Sequence, residues 1–195
     1  MKYLIIAIGL FLSMNLSAQV EESKLGSWYM YFYNVNFVES SFGVQGDIQY
    51  RNWNTLGDLE QLLLRSGVTY KPKESSVLFT LGYASITTGS PGESTATIHE
   101  NRIYQEAFFG QKIFGRVHLA HRFRYEQRWV DNQDFRTRLR YNFFVNIGLN
   151  SKELLPKTFY TSFYNELFIN GERTNGIGEV DLFDRNRTYL GLGYI

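Results

Sequence analysis

The stretch Arg122-Phe123-Arg124-Tyr125-Glu126-Gln127-Arg128-Trp129 alternates at every step between a charged residue and an aromatic or amide one. A β-strand turns successive side chains to opposite faces, so this pattern gathers Arg122, Arg124, Glu126 and Arg128 into one row and Phe123, Tyr125, Gln127 and Trp129 into the other. A helix would scatter the same arginines around its circumference. The next segment repeats the pattern: Phe135, Thr137, Leu139, Tyr141, Phe143 and Val145 oppose Arg136, Arg138, Arg140 and Asn142. Near the end, Arg185 and Arg187 share a face, while Leu190, Leu192 and Tyr194 share the other. A chain written this way folds as a sheet whose two faces meet different surroundings.

Turn-forming residues divide the chain into nine such segments: 27–38, 42–53, 58–71, 76–88, 99–113, 116–130, 134–149, 158–170 and 183–195. The breakers include Lys71-Pro72-Lys73-Glu74, Gly89-Ser90-Pro91-Gly92 and Asn170-Gly171-Glu172. Connections after the first, third, fifth and seventh segments read as the shorter ones. No linker or shift in composition marks a second domain, and 195 residues suit one.

The N-terminus reads as an address. Met1-Lys2 is a positive start, Tyr3 to Leu12 an apolar run broken only by Gly9, and Ser13 to Ala18 a small and polar stretch. That order matches a secretory signal peptide cleaved after Ala18, which leaves residues 19–195 as the mature domain. The run is shorter than the ~20 apolar residues a spanning helix needs. No later segment supplies one.

Exported antiparallel strands build either a soluble sandwich or barrel, with the apolar face inward, or an outer-membrane barrel, where the sense is reversed. Three features favour the membrane. The segments often run to 12–16 residues, where globular strands peak at ~5–6. Trp28, Tyr29, Trp53, Tyr70, Trp129 and Tyr160 fall near segment ends, like interfacial girdles. The polar rows mix both signs and prefer Arg to Lys, which suits a crowded, paired interior. The fold expected is an all-β, antiparallel up-and-down transmembrane barrel. Single-chain bacterial barrels have an even strand count, so nine segments imply about ten strands in the full protein, with a closing strand beyond Ile195.

Five segments carry a family resemblance: Gly46-Asp47-Ile48-Gln49-Tyr50-Arg51-Asn52-Trp53, Asp58-Leu59-Glu60-Gln61-Leu62-Leu63-Leu64-Arg65, His121 to Arg128, Tyr164-Asn165-Glu166-Leu167-Phe168-Ile169-Asn170, and Phe183 to Tyr194. Together they resemble the domain-of-unknown-function 2490 family of Gram-negative secreted proteins. The resemblance covers nearly the whole mature chain and implies an outer-membrane barrel. It brings no activity and no catalytic residues.

The charged rows are the candidate site. The expected lumen face holds Arg51, Arg65, Arg102, Arg122, Arg124, Arg128, Arg136, Arg138, Arg140, Arg185 and Arg187 with Asp47, Glu100, Glu106, Glu126 and Glu166. In a narrow barrel such charges form a paired plug; the excess of arginine over carboxylate would alternatively make a constriction that holds or conducts small anions. The other partner expected is outer-membrane lipid. The competing class is a periplasmic soluble barrel that binds an apolar ligand.

Other chemistry finds little footing. With no Cys there is no disulfide framework, thiolate metal site or cysteine nucleophile. The imidazoles are His99, His118 and His121, and three residues apart on one strand places the last two on opposite faces. His99 beside Glu100, after Ser90, Ser94 and Thr95, is the best general-base candidate for a lipid-modifying hydrolase, but no spacing ties it to a nucleophile. The expectation is a non-enzyme without cofactor. Asp131-Asn132-Gln133-Asp134 lacks the ligand count of a calcium loop. Gly171, Gly176 and Gly178 precede no strand-to-helix turn that could cradle phosphate. A net charge of +1 speaks against nucleic acid.

Overall fold

A computed structural model describes residues 25–55, 57–90, 95–172 and 180–195. The signal-peptide assignment at 1–18, together with Ser94, Gly176 and Gly178, lies outside the described residues. Nine strands form a single antiparallel sheet in chain order: β1 (Ser27–Asn36), β2 (Phe42–Asn52), β3 (Leu59–Tyr70), β4 (Val77–Gly89), β5 (Thr97–Ile113), β6 (Val117–Val130), β7 (Arg136–Gly148), β8 (Phe159–Asn170) and β9 (Phe183–Tyr194). The sheet curls into a half-barrel. Each strand pairs only with its neighbours in sequence, so β1 and β9 are the two edges, and they do not pair with each other.

Strands of 10–17 residues are long for a globular sheet. At ~3.3 Å per residue, a twelve-residue strand tilted by ~45° rises roughly 28 Å, close to the height of a bilayer's hydrocarbon core. Connections suit the period-two pattern because they keep register. The β5–β6 turn needs only residues 114–116, with Phe114 and Gly115 both at positive φ (48° and 73°). Two left-handed residues in succession give the reverse twist that matches paired strands. The connection after the seventh strand departs from expectation: it covers 149–158 and is longer than those before it. Asn150 holds it shut by bonding Lys157 O and the Phe159 backbone N–H at 3.0 and 2.8 Å.

The usual distribution of polarity is inverted. Among the described residues the buried side chains are mostly polar, including Asp47, Glu100, Glu106, Glu126, Glu166, Arg124 and Arg138, against five apolar ones. The buried apolar residues cluster at Leu63, Ala84, Ile86 and Tyr104 on the concave face. Leu139 (52% exposed) and Leu190 (73%) lie on the opposite, convex face, one residue away in phase from buried Arg138 (6%). Globular proteins almost never bury unpaired Glu and Arg, so the concave face must supply partners.

Where the concave face is crowded, glycine makes room. Gly82 of β4 lies across the ladder from Tyr104 of β5, and a Cβ on Gly82 would sit 2.2 Å from the Tyr104 Cζ. Gly193 and Tyr160 repeat the arrangement across β8 and β9. Tyr160 therefore belongs to the concave face. So does Trp28, which pairs with Arg51 across β1 and β2 and carries that guanidinium 4.1 Å from its ring centre. Neither joins an outer girdle. Tyr29, Tyr70 and Trp129 do lie on the convex side, where Tyr70 packs on Phe42 and Trp129 on Phe135.

Candidate functional site

The concave face is built by parity. On β6, Arg122, Arg124, Glu126 and Arg128 point inward; β7 answers with Arg136, Arg138, Arg140 and Asn142, and the ladder sets Glu126 opposite Arg138 and Arg124 opposite Arg140. On β5 the inward set contains Glu100, Arg102, Tyr104 and Glu106, with Arg102 facing Arg128 and Glu106 facing Arg124. Like-charged guanidiniums directly opposite one another repel. They are held apart by carboxylates from the neighbouring rungs.

Glu126, 1% exposed, is the hub. Arg138 reaches it at 2.7 Å and Arg140 at 2.6 Å, with Arg102 and Arg124 at 3.5 and 3.8 Å. Arg140 continues to Glu166 at 2.5 Å, and Arg122 bridges Glu166 and Glu106 at 3.3 and 3.8 Å. Arg124 pairs with Glu106 at 2.6 Å. Glu100 receives Arg102 and Arg128 at 2.7 and 2.5 Å. Asp47 takes a two-pronged contact from Arg65, with bonds of 2.8–3.1 Å. Tyr164 donates its hydroxyl to Glu166 at 2.7 Å. Each carboxylate thus accepts several charge-assisted hydrogen bonds, the condition under which buried charge is tolerated.

All the expected lumen residues lie on this face, but the network does not take in every one. Arg51 donates to Gln49 and Gln61 at 2.7 and 3.3 Å and forms no ion pair among the described residues, although Glu60 acts on it electrostatically. Arg136 keeps a buried Nε without a partner there. Arg187 lies 5.1 Å from the Phe168 ring, without an ion pair among the described residues. Three members of the site escape a reading of charges alone. Asp184 pairs with Arg138 at 3.2 Å; a register shift at Phe168/Ile169 lets it do so. Phe168 places its ring 4.7–5.9 Å from Arg138, Arg140, Arg185 and Arg187. Tyr104 lies flat between Gly82 and Arg124, 4.3 Å from the latter. Parity places both rings inside, since Phe168 is two residues from Glu166 and Tyr104 two from Glu106.

The histidines stay dispersed. His99 Nδ1 is 3.1 Å from the Thr87 hydroxyl, His118 Nε2 is 3.0 Å from Lys152 O, and His121 Nδ1 is 2.9 Å from the Tyr141 hydroxyl. His121 stacks on Phe109 with ring centres 4.8 Å apart. Among the described residues no group of three His, Asp or Glu could hold a metal ion. Asp131 is a hairpin residue, accepting the His99 backbone N–H at 3.2 Å. At the opposite end of the sheet Lys112 pairs with Glu153 of the 149–158 connection, and that hydrogen bond holds the Glu153 carboxyl below the usual carboxylate range.

An uncharacterized protein of Methylorubrum extorquens is 31% identical over 161 residues, which is 77% of this chain and 66% of the relative. The matched part thus spans just under two thirds of that protein. No solved structure matches the chain. The family described as "protein of unknown function (DUF2490)" matches residues 25–195, which contain all nine strands. In agreement with the resemblance carried by its charged strand segments, the chain belongs to the DUF2490 family.

Proposed function

We propose that the chain is exported through a cleaved signal peptide and forms the wall of an outer-membrane β-barrel, with a structural or narrow-pore role and no catalytic task. One observation carries the reading: Glu126 and Arg138 are buried while Phe123, Leu139 and Leu190 are exposed. Turning that much apolar surface toward water would forfeit ~25 cal/mol per Å² of the burial that drives folding. In hydrocarbon the same face is at home, and the charged face is sheltered in the lumen.

A sheet in hydrocarbon cannot leave N–H and C=O groups unpaired. The proposed barrel therefore requires that the edges of β1 and β9 be paired in the assembled protein. The ion-pair belt from Glu100 through Glu126 to Glu166 runs along the concave face from β5 to β8 and would narrow the proposed lumen. Dispersed histidines, each with its own hydrogen-bond partner, support the non-catalytic reading.

Cell fractionation tests the proposal. Recovery in the detergent-extracted outer-membrane fraction, with a gel mobility that changes on heating, is the expected outcome. Recovery in the osmotic-shock supernatant would instead favour the soluble periplasmic barrel.

A further inference from the structure

At the end of the lumen where β2 finishes and β9 begins lies a cavity of about 290 Å³. Arg51, Arg128, Arg138, Arg185 and Arg187 are among its walls, Phe168 contributes an aromatic surface, and Glu100 is the one carboxylate lining it among the described residues. Most of these arginines already have acidic partners: Arg128 has Glu100, Arg138 has Glu126, and Arg185 has Asp184 at 3.2 Å. Arg51 and Arg187 have none among the described residues. They come from β2 and β9, one strand short of one edge and the strand at the other, yet they face the same cavity.

We infer that this cavity is a binding site for a phosphate group, held between Arg51 and Arg187. A guanidinium offers its N–H groups in a planar fork that fits two oxygens of one oxyanion, which the point charge of a lysine does not do. Two guanidiniums lining one cavity, neither in an ion pair among the described residues, leave positive charge that a tetrahedral dianion offsets. A small monovalent ion could neutralise only part of that charge and accept fewer bonds. Sheltered walls strengthen the attraction relative to open water and concentrate anions at the cavity mouth. The phosphate could be free or the headgroup of a lipid; the recognition chemistry is the same.

The site needs only the lumen geometry, so it goes beyond the membrane reading and can fail while that reading stands. The test uses the full-length protein in zwitterionic detergent at fixed ionic strength, titrated calorimetrically with inorganic phosphate and with a short-chain phosphatidic acid. Saturable binding of either probe is expected; preference for the first identifies a soluble source, preference for the second a lipid source. Arg51→Gln and Arg187→Gln should each weaken binding by roughly tenfold, the loss of a charged hydrogen-bond donor, while Lys73→Gln in the exposed β3–β4 turn leaves it unchanged. Heat-modifiable mobility checks that each variant folds. If one does not, Arg187→Lys keeps the charge and should still weaken binding by removing the fork. Absence of saturable binding, or equal affinity in the variants, overturns the inference.

Discussion

Arg138 donates both its Nε–H and an Nη–H to the same carboxylate oxygen of Glu126, at 3.0 and 2.7 Å, directly across the β6–β7 ladder. This contact is the centre of a network whose carboxylates tie neighbouring strands together. Glu126 ties β5, β6 and β7 together through Arg102, Arg124, Arg138 and Arg140. Removing the acid takes from these four guanidiniums the carboxylate they share and leaves each with a single carboxylate partner among the described residues.

Glu126→Gln should therefore destabilise the barrel by about 3–5 kcal/mol, the range seen when one partner of a buried ion pair is lost. Refolding midpoints in urea, with heat-modifiable mobility as the readout, measure it. The pair Glu126→Gln/Arg138→Gln should lose less than the two single variants added together, because both single changes remove the same Glu126–Arg138 contact. Additive losses would mean that the two side chains do not interact.

The convex face responds to charge in the opposite way. Phe123 lies midway along β6 and is 49% exposed. Phe123→Lys should reduce stability in lipid by about 2–4 kcal/mol, the cost of a cation at the bilayer midplane. On a water-facing surface the same change would be nearly neutral.

Gly82→Ala places a methyl 2.2 Å from the Tyr104 ring carbon. The ring must leave its place against Arg124, and the expected loss is about 1–3 kcal/mol, as for overpacking in a core. Combining Gly82→Ala with Tyr104→Leu should cost less than the sum, since the smaller side chain no longer collides. Thermal shifts of the four proteins check the coupling.

Much of this arrangement is legible in the amino-acid order because parity is a local property. Arg124 and Phe123 must face opposite ways in any strand, and the nine segments follow from where alternation stops. What parity leaves out is whatever depends on a neighbouring strand. Asp184 joins the network only because the β8–β9 register slips at Phe168/Ile169. Trp28 looks like a girdle residue by its position near a strand end, but its side is fixed by its pairing with Arg51. The four arginines around Phe168 come from β7 and β9, on either side of it in the sheet.

One pH-sensitive contact reaches outside the strands, to the connection between β7 and β8. The Glu153 carboxyl titrates below its unfolded value because Lys112 donates a hydrogen bond to it. A depressed acid stabilises above the unfolded pKa, and that contribution is lost as pH falls through the folded one. Lys112→Ala should return the Glu153 titration, followed by side-chain NMR, to the ordinary carboxylate range. An unchanged midpoint would show that the pair does not form in solution.

The absence of cysteine from the chain makes single labels simple to place, and the orientation of the two faces can be read directly. Spin labels at Phe123→Cys and Leu139→Cys on the convex face, and at Gln45→Cys on the concave face, are compared in protein reconstituted into vesicles. Collision with oxygen, which dissolves in lipid, should dominate at Phe123 and Leu139, and collision with a water-soluble nickel chelate at Gln45. Preferential access of the chelate to Phe123 and Leu139 would mean that the apolar face meets water, in contradiction to an outer-membrane barrel.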